Sequence, residues 1–300
     1  MNFNSFKLEL FYLRKTIFQY GSFFKYLKSR SAAKKILKQD KVLEKEINNN
    51  ELSIHILCGK DHLVMLLWSL KSFYEVMTEI GELFIHNDGT LGSREQKILK
   101  KFFPNCCIVG QNEVLKSNDF NKFNLIKIFR KKQKYFLLKK LVDPYFVSTK
   151  KFHLIVDSDL LWFKGPIEIE QEIRSAGRNS LMMQGVGVNK KFNVHFKNNE
   201  TLDNSLAVLN SGIVFYNKDN FELTKLEEYF ERLDESYKLN SHFIEQAGYA
   251  YCLKNLKALD EKKYTIENVV NQQTVARHYT SPKRALFYIE GITKIKNKKL

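Results

Sequence analysis

Two aspartates, Asp157 and Asp159, flank a serine directly after the apolar run Phe152-His153-Leu154-Ile155-Val156. Such a run predicts a buried strand, and in open α/β sheets ligands collect beyond the carboxyl ends of strands. Two carboxylates this close repel each other. A divalent cation with oxygen ligands relieves the repulsion and keeps positions open for substrate phosphates. The plainer alternative is that the pair only stops the strand or caps a helix, so context has to decide.

Three downstream segments supply that context. Leu209-Asn210-Ser211-Gly212-Ile213-Val214-Phe215 sets polar residues inside an apolar strand, which costs stability unless those groups are satisfied or used. Gly212 would let backbone approach a ligand closely, although a β-bulge explains the same pattern. His242-Phe243-Ile244-Glu245-Gln246 opens a helix with a carboxylate beside an amide, for which a solvated carboxylate is the default reading. Val275 to Arg284 puts His278 and two cations, Lys283 and Arg284, just past a short strand. Alone, His278 reads as a hydrogen-bonded structural histidine, and so do His153 and His195. The basic run Lys127, Arg130, Lys131, Lys132, Lys134, Lys139 and Lys140 reads as one solvated helix face.

The elements that must position these residues follow from hydrophobic periodicity. Short apolar runs alternate with longer amphipathic ones from Leu52 onward, the pattern of βα units on a mostly parallel sheet. Strands are predicted at Leu52–Cys58, 82–86, 106–109, 152–156, Ser180–Gln184 and 207–216. Leu63, Leu66, Leu67, Leu70, Tyr74 and Met77 share one helix face, and further helices are predicted at 93–103, 123–142 (closed by Pro144), 222–237 and 241–253. Asn87-Asp88-Gly89 is a turn signal. Residues 1–45 hold eleven Lys and Arg against three acids, half the net charge of +16. Their aromatics, among them Phe6, Phe11, Tyr12, Phe18, Tyr20, Phe24 and Tyr26, interleave with Lys7, Arg14, Lys15, Lys25, Lys28 and Arg30. This segment reads as helix broken at Gly21-Ser22, and the run Asn48-Asn49-Asn50 is taken as its boundary. The chain is thus expected to be a helical extension over 1–50 and a catalytic α/β domain over 51–300.

An apolar strand ending in Asp-x-Asp, then Asn-Ser-Gly in a strand, then a Glu-Gln helix, then a late His followed by basic residues resembles the order found in glycosyltransferases of the GT-A fold. The likeness runs over roughly residues 51–290 and includes Gly59-Lys60-Asp61 and the Asn87-Asp88-Gly89 turn. It is greatest to bacterial enzymes that build surface polysaccharide and lipopolysaccharide. The resemblance implies a GT-A-like, mostly parallel sheet flanked by helices, and a hexosyltransferase using a nucleotide-sugar donor with a glycan or lipid-linked acceptor. It implies Mn2+ or Mg2+ held by Asp157, Asp159 and His278, with Asp157 also near the ribose. Neutral imidazole and carboxylates suit such a cation. Asn210, Ser211 and Gly212 would contact the donor, Lys283 and Arg284 its phosphates, and Glu245 and Gln246 would serve catalysis. One departure stands out. The His-Gly-Lys-Pro-Trp-like ending of the lipopolysaccharide galactosyl- and glucosyltransferases is absent, since His278 is followed by Tyr-Thr-Ser-Pro-Lys-Arg, so donor identity does not carry over.

Competing classes fit less well. A haloacid-dehalogenase-type phosphatase needs an Asp where His86 stands before Asn87-Asp88-Gly89-Thr90, and Asp157-Ser158-Asp159 is followed by Leu160-Leu161 instead of small residues. A sugar nucleotidyltransferase wants a Gly-rich loop and Arg after the first strand, where Gly59-Lys60-Asp61-His62 stands. The charge of +16 suits a basic nucleic-acid- or phosphate-binding protein, but no zinc-finger or RRM signature is present, and nucleic acid is not an expected partner. With 44% hydrophobic residues, 24 Phe and 14 Tyr, the chain can build a sizeable core, which excludes wholesale disorder. Cys58, Cys106, Cys107 and Cys252 lack metal-ligand spacing and point to a reducing compartment. No apolar run of membrane-spanning length and no signal-peptide pattern is visible. The expected location is cytoplasmic, with the basic aromatic extension as a candidate contact to the anionic inner face of a membrane.

Overall fold

The structure is a computed structural model that describes residues 10–11, 14, 17–18, 20–117, 119–185, 194–197, 209–237, 240–281 and 283–297. The readings above that fall on Phe6, Lys7, Tyr12, Lys15 and Ala207 lie outside the described residues.

In chain order the strands are β1 (Leu52–Cys58), β2 (Glu82–Asn87), β3 (Cys107–Val109), β4 (Phe152–Asp157), β5 (Leu160–Trp162), β6 (Ser180–Gln184), β7 (Leu209–Asn217), β8 (Leu256–Ala258), β9 (Tyr264–Thr265) and β10 (Ala276–His278). Seven of them form one sheet in the order β3-β2-β1-β4-β7-β6-β8, parallel except for β7. This is the mostly parallel α/β architecture that the alternation of apolar and amphipathic stretches predicts. The order reverses between β1 and β4, so the ends of these two strands open a crevice at the sheet's switch point. Asp157 is the last residue of β4 and therefore lies at that crevice.

Both faces of the sheet are covered, and the strand period of two divides the core accordingly. Ile54, Ile56, Leu154, Val156 and Phe215 point to one side, against α2 (Leu63–Val76). Ile155, Met182, Val214 and Tyr216 point to the other, against α5 (Leu138–Val147), α7 (Leu223–Arg232) and α8 (Ser241–Cys252). The remaining helices are α1 (Phe23–Lys34), α3 (Ser93–Phe102), α4 (Asn124–Lys131), α6 (Ile167–Arg174) and, near the end, Arg284–Leu286 and Ile292–Asn297 joined by a π-turn, Phe287–Gly291. α1 buries Tyr26 against Tyr288, Ala285 and Ile289. Past it, Trp68 donates to Ala33 O at 3.1 Å, and Asn48 bonds Thr78 O and the Ile80 N–H at 2.8 and 2.7 Å.

Three expectations are corrected. The helix read over 123–142 is two helices, α4 and α5, separated by the turn Gln133–Tyr135, and Pro144 sits inside α5 instead of closing it. Proline has no N–H, so the carbonyl four residues back loses its helical partner. That carbonyl belongs to Lys140, and the Tyr249 hydroxyl donates to it at 2.6 Å. The basic run is likewise not one solvated face, because Arg130, Lys139 and Lys140 are buried. The helix read over 222–237 ends at Arg232, where Leu233 turns out to pair with Phe196.

Candidate active site

The second, three-stranded sheet has the order β5-β10-β9. Its antiparallel register sets His278 opposite Leu160, the residue after Asp159, and the Tyr279 N–H donates to Asp159 O at 3.0 Å. His278 Nε2 thereby lies 3.0 Å from Asp159 Oδ1 and 3.2 Å from Asp157 Oδ2. The potential ligand atoms of the three residues all fall within 4.8 Å of one another, and among the described residues this is the one cluster that could hold a metal ion.

The other side of the imidazole is fixed from β7. Between Met182 and Met183 the pairing jumps from Val214 to Asn210, so Ser211 to Ile213 form an irregularity in β7. The jump turns Asn210 toward the site. Asn210 Oδ1 accepts from the Gly212 N–H at 2.8 Å and lies 3.0 Å from His278 Nδ1. An oxygen accepts, so Nδ1 carries a hydrogen and Nε2 of the neutral ring offers a lone pair to two carboxylates. That arrangement holds only with a positive charge between them, either a proton or a cation, so the donor set fits a divalent metal. Without metal the proton takes the place: burial opposes imidazolium, but Asp159 and Asp157 overcome it and raise His278 to about 9. A Cβ on Gly212 would sit 2.3 Å from His278 Nδ1, so the glycine makes room for the ring.

Behind the Asp157, Asp159 and His278 cluster stands Lys140, whose side chain is 3% exposed. Its ammonium lies 2.6 Å from Asp157 Oδ1, 3.5 Å from Glu245 Oε1 and 2.6 Å from Ser211 O. α8 can bring Glu245 there because Gly248 lets it pack closely on α5, where a Cβ would meet Leu141 at 2.5 Å. Asn240 caps that helix by accepting from the His242 N–H at 2.9 Å. Glu245 accepts from Ser211 Oγ at 2.6 Å through Oε2, while Oε1 is buried without a hydrogen bond. Burial raises its carboxyl to about 7, with Lys140 pulling down and Asp157 pushing up. Burial would also raise Asp157 and Asp159. For Asp157, Lys140 and His278 reverse this, and for Asp159, His278 and Arg284 hold the carboxyl far below the usual range.

Of the sequence candidates, the structure brings Asp157, Asp159, His278, Asn210, Ser211, Gly212, Glu245 and Arg284 into one network. Gln246 joins at its rim by accepting from Asn210 Nδ2 at 3.2 Å. Arg284 Nε donates to Asp159 Oδ2 at 3.0 Å, whereas Lys283 pairs with Glu267. At the neighbouring strand ends the Lys60 N–H donates to Thr90 Oγ1 at 2.8 Å, and a Cβ on Gly59 would collide with Asp88. Sequence reasoning missed Lys140. The available signal is that α5 is apolar on more than one side, through Leu138, Leu141, Val142 and Pro144, and a helix buried all round must pair its lysines.

Comparison with known proteins gives the fold. No family model matches the sequence, and no curated protein is significantly similar to it. Among solved structures the chain is similar to the galactosyltransferase LgtC in complex with donor and acceptor sugar analogues, with a TM-score of 0.50, 12% identity, and coverage of 77% of this chain and 87% of that one. It is also similar to the bifunctional glycosyltransferase WbbM in its apo form, with a TM-score of 0.53 and 8% identity, over 87% of this chain and 53% of that one. The fold is that of the GT-A glycosyltransferases.

Proposed function

We propose that this chain is a metal-dependent glycosyltransferase that moves a sugar from a nucleotide-diphosphate donor to a glycan or lipid-linked acceptor in surface-polysaccharide synthesis. The observation that carries this reading is the convergence of Asp157, Asp159 and His278 at the switch point of a GT-A sheet. Those three residues would hold Mn2+ or Mg2+, which when bound supplies Lewis-acid stabilisation of the departing nucleoside diphosphate. Arg284, which donates to Asp159 Oδ2, would add a charge-assisted hydrogen bond to the same phosphates. Lys140 keeps Asp157 ionised and sits between it and Glu245. Glu245 Oε1 is buried, makes no hydrogen bond and has the Lys140 ammonium 3.5 Å away, and in this reading the carboxylate would face the positive charge that develops on the sugar ring. In a retaining reaction Glu245 and Gln246 orient the donor and stabilise that charge. In an inverting one Glu245 takes the acceptor's proton, a task its pKa of about 7 suits. The order Asn-Ser-Gly, then Glu-Gln, resembles that of retaining members of the GT-A fold, and this resemblance favours retention.

The test is a panel of nucleotide sugars assayed for release of nucleoside diphosphate with Mn2+, with Mg2+ and with EDTA, using the wild type and Asp159→Asn. Metal-dependent release from one donor, lost in the variant, is the expected result. Release that ignores both EDTA and the substitution would refute the reading. The anomeric configuration of the product, read by NMR, decides between retention and inversion.

A second reading concerns the N-terminus, where Phe18 and Phe24 are 80% and 82% exposed and Leu10, Phe11, Ile17 and Leu27 are also exposed. Arg14, Lys25 and Lys28 stand exposed among them. Apolar rings interleaved with cations along this part of the chain suit the surface of an anionic leaflet. No helix among the described residues is long and apolar enough to cross a membrane. Flotation of the full chain with anionic and with neutral liposomes tests this, and equal recovery with both would refute it.

A further inference from the structure

Beyond the β2 and β3 ends of the same sheet edge lies a cavity of about 230 Å3 that none of the residues discussed as metal or donor ligands lines. Its wall is unusual in charge. Arg130, Lys131, Lys132 and Lys139 contribute cations, Gln111, Asn112 and Gln133 contribute amides, and no carboxylate lines it.

Each cation has spare capacity or is held in place. Arg130 is buried and gives Nε and Nη2 to Asp143 at 2.9 and 2.8 Å, which locks the guanidinium while leaving Nη1 with no partner among the described residues. Lys139 is 4% exposed, and its ammonium has one acceptor, Asp88 O at 3.0 Å, for three hydrogens. Burial and the nearby Arg130 lower its pKa, so an anion in the cavity would relieve both effects. Lys131 has no ion-pair partner among the described residues, and Lys132 pairs with Glu235 while lying 4.0 Å over the Phe129 ring. Asp143 and Glu235, which lie outside the lining, already pair with Arg130 and Lys132, so Lys131 and Lys139 carry the uncompensated charge; two such cations, with Arg130 Nη1 still free to donate, favour a doubly charged oxyanion over a single carboxylate.

Lys139 and Lys140 are consecutive on α5, one turned to this cavity and the other to Asp157 and Glu245. A molecule spanning the end of β1 would therefore touch both places. We propose that the cavity is a second phosphate-binding subsite, separate from the metal cluster, and that it takes a phosphate group on the acceptor. The acceptor assignment rests on the transferase reading; the phosphate site does not.

The experiment titrates inorganic pyrophosphate into the full-length protein in EDTA, without any nucleotide sugar, followed by calorimetry. The wild type is compared with Lys131→Glu, Lys139→Met and Arg284→Gln. Losing one charge-assisted contact should weaken binding about tenfold in each of the two lysine variants and leave Arg284→Gln close to wild type. Lys131 is exposed, so its variant tests the site without disturbing the core. Equal affinity in wild type and both lysine variants, or a loss confined to Arg284→Gln, would overturn the proposal. So would acetate competing as well as inorganic phosphate. A phosphorylated acceptor should show a KM raised by Lys131→Glu with kcat and donor KM unchanged, and an unchanged acceptor KM would overturn the acceptor assignment. Failure of the titration leaves the transferase reading standing, and absence of transfer with intact pyrophosphate binding removes the transferase reading alone.

Discussion

Replacing Lys140 by methionine tests the electrostatic core of the site without assuming any activity. The ammonium is 3% exposed and stands between Asp157 Oδ1 at 2.6 Å and Glu245 Oε1 at 3.5 Å, with Ser211 O also at 2.6 Å. Methionine keeps the volume but strands two carboxylates and one carbonyl. Removing one partner of a buried ion pair costs roughly 3–5 kcal/mol. Asp157 retains a side-chain exposure of 27% and can rehydrate, which puts the expected loss near the lower end, about 3 kcal/mol. Adding Glu245→Gln removes one of the stranded charges, so the double variant should recover about 1–2 kcal/mol of that loss. The pH dependence has a definite sign. With Lys140 present the Glu245 carboxyl is already at about 7, and Lys140 pulls it down, so without the ammonium it titrates higher still. At about pH 5.5 Glu245 then folds neutral in both proteins, and the cost of Lys140→Met should be smaller there than at about pH 8. Denaturant unfolding in EDTA of the wild type, both single variants and the double variant at the two pH values measures all of this. A loss below about 1 kcal/mol for Lys140→Met at the higher pH, or no recovery in the double variant, would refute the reasoning.

Three further outcomes follow from the same geometry. Asp159→Asn should fold and yet reduce nucleoside-diphosphate release at least about a hundredfold, matching the effect of EDTA on the wild type. Gly212→Ala places a Cβ 2.3 Å from His278 Nδ1 and must push the ring off Asn210 Oδ1; metal affinity, read by titrating Mn2+, should fall, and an unchanged value would show that the ring's position is not set by this contact. Glu245 has its folded pKa raised from the ordinary 4.5 to about 7, so its contribution to stability is complete below 4.5 and is lost as pH rises through 7. Glu245→Gln should therefore flatten the wild-type decline across this window, by up to about 3 kcal/mol in denaturant unfolding.

Much of the frame was legible because its signals are local. The apolar runs at 52–58 and 152–156 declare buried strands by their composition, and the sudden appearance of Asp157 marks where β4 leaves the core. The spacing of Leu63, Leu66, Leu67 and Leu70 declares the face of α2. Even the polar interruption at Asn210-Ser211-Gly212 announces irregular backbone in β7, since apolar strands do not carry such groups unpaired. What remained hidden depends on contacts between residues far apart in sequence. Lys139 and Lys140 look like solvated charges within a basic run, and only the packing of α5 between the sheet and α8 buries both and aims them at different places. Lys283 and Arg284 are neighbours of one charge type, yet Glu267 takes the first and Asp159 the second. β5 and β10 are three residues each, too short for any periodicity, and their antiparallel register is what carries His278 across more than a hundred residues of chain to Asp159. Local pattern determines which face of an element is apolar; the partner of each buried charge is chosen by register and helix packing, which exist only once the chain has folded.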